Sequence, residues 1–75
     1  MHEPEWIHET TRRVHLIYDA NGKTLARVAL LVSDDGHWAV ELWQHDRFGT
    51  REEFDTEREA ITEWRATALA VTNFY

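Results

Sequence analysis

The chain has 75 residues, no cysteine, and 14 acidic side chains against 8 lysines and arginines, for a net charge of −6. That length makes one domain, spanning residues 1–75, with a small core, and the lack of cysteine rules out disulfides and thiolate metal sites. No apolar run approaches the ~20 residues of a membrane span, and the acidic balance speaks against a nucleic-acid binder and for a partner with a basic surface.

Met1 to about Thr10 is open between a helical turn started by Pro4, a tail, and an early start of strand 1, since Trp6 and His8 share the parity of Val14 and Leu16. Its polar opening does not read as a secretory signal, so the expected setting is soluble and cytoplasmic. Strand 1 then runs to Tyr18, and Asp19-Ala20-Asn21-Gly22-Lys23 reads as a three-residue hairpin turn with glycine in the left-handed position. Strand 2 follows to Ser33, and Ser33-Asp34-Asp35-Gly36-His37 repeats the same turn. Strand 3 extends from His37 to Gln44. β-branched and aromatic residues are frequent in all these runs, as strands favour.

Counting outward from the pairs Asp19–Lys23 and Ser33–His37 sets a register. It puts Val14, Leu16 and Tyr18 on one face with Ala26, Val28, Leu30 and Val32, and with Trp38, Val40 and Leu42. Gln44 to Arg51 contains Gly49 and reads as a loop, with a short extended piece at Arg47-Phe48 as the alternative, and Glu52-Glu53 continue it in solvent. A helix is expected over about residues 55–72. Thr56-Glu57-Arg58-Glu59 matches a capping box with Asp55 as the competing cap, and Ile61, Trp64, Ala68 and Val71 form an apolar stripe. The expected fold class is α+β, a three-stranded antiparallel sheet over residues 11–44 in the order β-β-β-α, with the helix on one face. Its expected core is Leu16, Val28, Leu30, Val40, Leu42, Ile61 and Trp64.

One helix covers one face. The other is expected to carry Arg13, His15 and Ile17, then Leu25, Arg27, Ala29 and Leu31, then Ala39, Glu41 and Trp43. Antiparallel sheets often wet one side, and the Trp6-Ile7 segment is a further candidate cover. A contact surface for a partner or a second copy is the sharper reading, because Trp and Arg within an aliphatic ring is the composition of binding hot spots. Trp43, Arg27, His15, Ile17, Leu25 and Leu31 are therefore candidate partner-binding residues.

No catalytic residue, cofactor or metal site emerges. His2, His8, His15, His37 and His45 lack the short paired spacings of zinc sites. The only serine, Ser33, has its turn position as sufficient reason, and the three glycines lie too far apart for a phosphate loop. An enzyme is not expected. The negative charge concentrates in residues 34–63, where ten acids face Arg47, Arg51 and Arg58. Within it the run from Asp46 to Glu63 is either a hydrated face or an imitation of a nucleic-acid backbone, whose duplex carries one charge per ~1.7 Å. Glu52, Glu53 and Glu57 are its candidate contact residues.

Three strands followed by an acid-capped helix, with the Asn21-Gly22-Lys23 hairpin and Phe54-Asp55-Thr56 leading to Trp64, resembles small phage-encoded anti-CRISPR proteins of the βββα type over roughly residues 14–64. That resemblance implies an inhibitor acting in a host bacterial cell, which binds a CRISPR effector by surface contacts on its basic nucleic-acid channels. It assigns no individual residue. Antitoxins of the HicB type are similar in element order, but their Gly-rich segment before the helix has only Gly49 as a counterpart here. The expectation is thus a small acidic protein-binding regulator, an inhibitor from a phage or other mobile element. The alternative is an antitoxin-like or dimeric accessory domain that self-associates through the outer sheet face.

Overall fold

A computed structural model describes residues 8–75. The chain forms β1 (Glu9–Tyr18), β2 (Thr24–Ser33), β3 (Trp38–Gln44), β4 (Arg47–Phe54) and α1 (Glu57–Phe74). The strands make one antiparallel sheet in the order β1-β2-β3-β4, and α1 packs on β2, β3 and β4. The α+β class and the C-terminal helix agree with expectation, but the sheet has four strands rather than three. The readings offered for residues 1–7, including cover by Trp6-Ile7, lie outside the described residues.

Both glycine turns form. The Asp19 amide donates to the Lys23 carbonyl at 2.9 Å and the Gly22 amide to the Asp19 carbonyl at 3.0 Å, with Gly22 at φ 81°. The Asp19 carboxylate also accepts from the amides of Asn21 and Lys23. The second turn repeats the pattern with Ser33, His37 and Gly36 at φ 85°. There the Ser33 hydroxyl accepts from the His37 amide and donates to the Asp35 carboxylate.

The second turn carries its register through β2 and β3: Arg27 faces Trp43, Val28 faces Leu42, and Leu30 faces Val40. The first does not. Tyr18 pairs with Thr24, but Ile17 then pairs with Ala26. Leu25 is the extra residue of a β-bulge, and one extra residue reverses the faces of the residues beyond it as far as Arg13, where a second irregularity at Arg12 restores them so that Thr11 pairs with Leu31 and Glu9 with Ser33. Arg13, His15 and Ile17 therefore lie on the helix side, and Val14, Leu16 and Tyr18 on the outer side. Leu16 leaves the expected core accordingly and is 36% exposed.

The expected loop after Gln44 is a strand. Gln44 pairs with Arg47 across a two-residue turn in which His45 (φ 50°) and Asp46 (φ 61°) are both left-handed. Such a turn usually carries Asn-Gly or Asp-Gly; here no glycine is present, and His and Asp are among the non-glycine residues enriched in this conformation. Glu52 and Glu53 thus sit on β4, opposite Val40 and Ala39. Gly49 occupies an irregularity between the Leu42–Thr50 and Trp43–Phe48 pairs, where an added Cβ would lie 2.8 Å from the Leu42 carbonyl oxygen.

The core lies between the sheet and α1. Ala26, Val28, Leu30, Val40, Ala60 and Val71 are buried, with Ile17, Trp38, Leu42, Phe54, Ile61 and Trp64 packed around them. Thr56 caps the helix, accepting from the Glu59 amide and donating to the Glu59 carboxylate. Glu57 and Glu59 face the positive end of the helix dipole. The Trp64 indole N–H reaches the Val28 carbonyl at 2.9 Å, which ties the helix to the sheet backbone.

Candidate interaction surface

The outer face of the sheet has no layer over it among the described residues. From β1 it takes Val14, Leu16 and Tyr18; from β2, Arg27, Ala29 and Leu31; from β3, Ala39, Glu41 and Trp43; from β4, Phe48, Arg51 and Glu53. Ala29 and Ala39 are buried between longer neighbours. Leu16, Arg27, Trp43, His45 and Asp46 line a shallow groove at one end.

Trp43 is fixed from three directions. The Arg27 guanidinium carbon lies 5.0 Å from its ring centroid, the Phe48 ring meets it edge-on at 5.4 Å, and its indole N–H donates to the Glu41 carboxylate at 3.3 Å. The cation–π contact contributes ~0.5–1 kcal/mol at an exposed site. A half-buried indole held this way has little rotamer freedom left to lose on binding.

At the opposite end Arg51 bridges the two edge strands. It donates to Glu9 on β1 at 2.7 Å, to Glu41 on β3 at 2.8 Å and to Glu53 on β4 at 3.3 Å. The bonds to Glu9 foremost, and to Glu41 after them, hold its guanidinium charged well above the ordinary arginine value, against the opposing effect of partial burial. Three carboxylates around one cation leave this end acidic. Beside it, the Ser33 hydroxyl and then His37 hold the Asp35 carboxyl below the ordinary aspartate value.

The structure brings Trp43, Arg27 and Leu31 together on the outer face, as the sequence places them, while Leu25 becomes the extra residue of the bulge and has no partner in the register. It removes His15 and Ile17. His15 Nε2 bonds the Thr72 hydroxyl at 2.9 Å, and that hydroxyl donates onward to the Ala68 carbonyl, so His15 fastens β1 to the helix. Ile17 packs on the core. Arg13 likewise leaves this face for the helix side, with its guanidinium 5.8 Å from the Trp64 ring. The acids also divide: Glu53 is bound to Arg51, Glu52 lies on the helix side of β4, and Glu57 stands in the first turn of α1. They do not make one stripe. Sequence reasoning missed Val14, Leu16 and Phe48 on this face, and the Arg51 cluster. The β4 pairing that aligns Glu41 with Arg51 is the signal that would have found that cluster.

No family model, no curated protein and no solved structure matches the chain. The reading of the surface therefore rests on its chemistry. Among the described residues, no group of His, Asp and Glu side chains is arranged to hold a metal ion, and no helix is long and apolar enough to cross a membrane.

Proposed function

We propose that this chain is a small, non-enzymatic protein-binding regulator, an inhibitor of the anti-CRISPR kind from a phage or other mobile element. It docks the outer face of its sheet on a partner whose own surface is basic and binds nucleic acid. The observation that carries this reading is Trp43. An indole held by Arg27, Phe48 and Glu41 on a sheet face with no layer over it among the described residues is the composition and the preorganisation of a binding anchor. The net charge of −6 and the acidic end around Arg51 favour a basic partner.

The test is inhibition. The chain is titrated into a panel of guide-loaded CRISPR effectors, and cleavage of target DNA is read. Arrest of at least one effector near stoichiometry, lost in Trp43→Ala, is the expected outcome. Undiminished cleavage across the panel would remove the inhibitor reading, and arrest that ignores Trp43→Ala would remove the outer face from it.

A further inference from the structure

The two edges of the sheet are built differently. On β4 the Gly49 irregularity and the charged run Arg51-Glu52-Glu53 interrupt the strand, and bulges and charges of this kind block pairing with another chain. β1 has an irregularity of its own at Arg12, between the Thr11–Leu31 and Arg13–Leu30 pairs, but its stretch from Arg13 to Tyr18 has no extra residue on its own strand. Its charged side chain Arg13 and its His15 turn to the helix side, towards Trp64 and Thr72. The helix packs over β2, β3 and β4 and leaves β1 at the margin.

The direction of the backbone groups on β1 follows from the turns. The Ser33 amide bonds the His37 carbonyl and the His45 amide bonds the Leu25 carbonyl, so the odd-numbered residues of β2 face β3. Ala26, Val28 and Leu30 then face β1, where their partners are Ile17, His15 and Arg13. The Asp19 amide points the same way, to Lys23. Val14, Leu16 and Tyr18 consequently direct their amides and carbonyls away from the sheet, with no strand beyond them among the described residues. These residues also have exposed side chains, at 46%, 36% and 55%. Unpaired backbone and exposed apolar side chain thus coincide residue by residue.

We infer that the β1 edge pairs antiparallel with β1 of a second copy, about a two-fold axis through Leu16, to give one continuous sheet. In that register Leu16 faces Leu16 of the second copy, and Val14 faces Tyr18. Each of these residues donates its amide and accepts at its carbonyl. On the helix side the same register sets Arg13 opposite Asp19 of the second copy. Charge selects this edge within an acidic chain: β1 holds Arg12 and Arg13 against Glu9, so repulsion between copies is small there, and the Arg13–Asp19 pairs are attractive. A seam of two strands is smaller than the ~1,200 Å² of a stable interface, so the dimer forms at high concentration and dissociates on dilution. This inference goes beyond the proposed function, since it uses the edge of the sheet and not Trp43.

Two measurements test it. Sedimentation equilibrium of the natural chain over roughly a hundredfold range of concentration should show a mass rising from 8.9 kDa towards twice that value. Trp43→Ala should leave this curve unchanged. The second uses the absence of cysteine. Hydrogen-bonded antiparallel partners lie ~5.5 Å apart at Cα, within the ~4.4–6.8 Å a disulfide spans. Leu16→Cys should therefore oxidise to a covalent dimer at least tenfold faster than Thr62→Cys on the exposed helix surface. A monomer at every concentration, or equal oxidation rates, would overturn the inference. A dimer abolished by Trp43→Ala would overturn it in favour of face-to-face association, while leaving inhibition of an effector as a separate result.

Discussion

Truncation of neighbouring side chains on β1 reads the Leu25 bulge directly. Without the bulge Leu16 belongs to the core and Ile17 to the outer face; with it they exchange. Leu30→Ala sets the scale, because Leu30 is 1% exposed between sheet and helix, and emptying such a site costs about 3–5 kcal/mol. A chain of this length has ~4–11 kcal/mol in total, so that variant should be close to unfolding. Ile17 is only partly buried but packs on the core cluster; Ile17→Ala should cost ~1.5–3 kcal/mol, its lost burial plus a partial cavity. Leu16 is 36% exposed on a face with no layer above it among the described residues. Leu16→Ala leaves no closed cavity and should cost about 1 kcal/mol or less. The assay is urea unfolding followed by tryptophan fluorescence at low protein concentration, with slopes compared to show that the change is one of stability. A larger loss for Leu16→Ala than for Ile17→Ala would refute the bulged register.

Three further outcomes are expected. Gly49→Ala should lower stability by ~1–3 kcal/mol in the same urea assay, because its Cβ would meet the Leu42 carbonyl oxygen at 2.8 Å and the neighbouring atom is backbone. Asp35 has its folded pKa lowered, first by the Ser33 hydroxyl and then by His37. Its contribution is present above the ordinary aspartate value and is lost as pH falls through the lowered one, so the gap in urea midpoint between the natural chain and Asp35→Asn should close on acidification across that window. Reversal of Glu52 and Glu57 to lysine should slow association with a basic partner more than it changes dissociation, and raised salt should slow the natural chain in the same way in stopped-flow traces.

The turns were legible in the sequence because glycine at the left-handed position leaves little choice. Asp19-Ala20-Asn21-Gly22-Lys23 and Ser33-Asp34-Asp35-Gly36-His37 form as read, and from the second follows the alignment of Arg27 with Trp43. The capping box at Thr56 was legible for a similar reason, since hydroxyl and carboxylate sit at the spacing the first helical turn requires. Two features were not. The Leu25 bulge has no residue signature, and the unbulged pattern gives β1 the more apolar inner face. The observed register instead sets Arg13 against Trp64 and His15 on Thr72, with Ile17 alone in the core. The β4 strand hid behind a His45-Asp46 turn without glycine and a charged sequence interrupted by Gly49. As a result Trp43, Arg27 and Leu31 were found as a group, while Leu16, Phe48 and Arg51 came from the structure.

An outer-face docking surface, as proposed, would have Trp43 as its anchor. The most direct measurement is the dissociation constant of the natural chain and of Trp43→Ala for the inhibited effector, with circular dichroism and urea midpoint establishing that both chains are folded. Loss of an anchor residue of this kind is worth ~2 kcal/mol or more, about 30-fold in affinity. A weakening of that size in a folded Trp43→Ala chain is the predicted result, and an unchanged dissociation constant would contradict it.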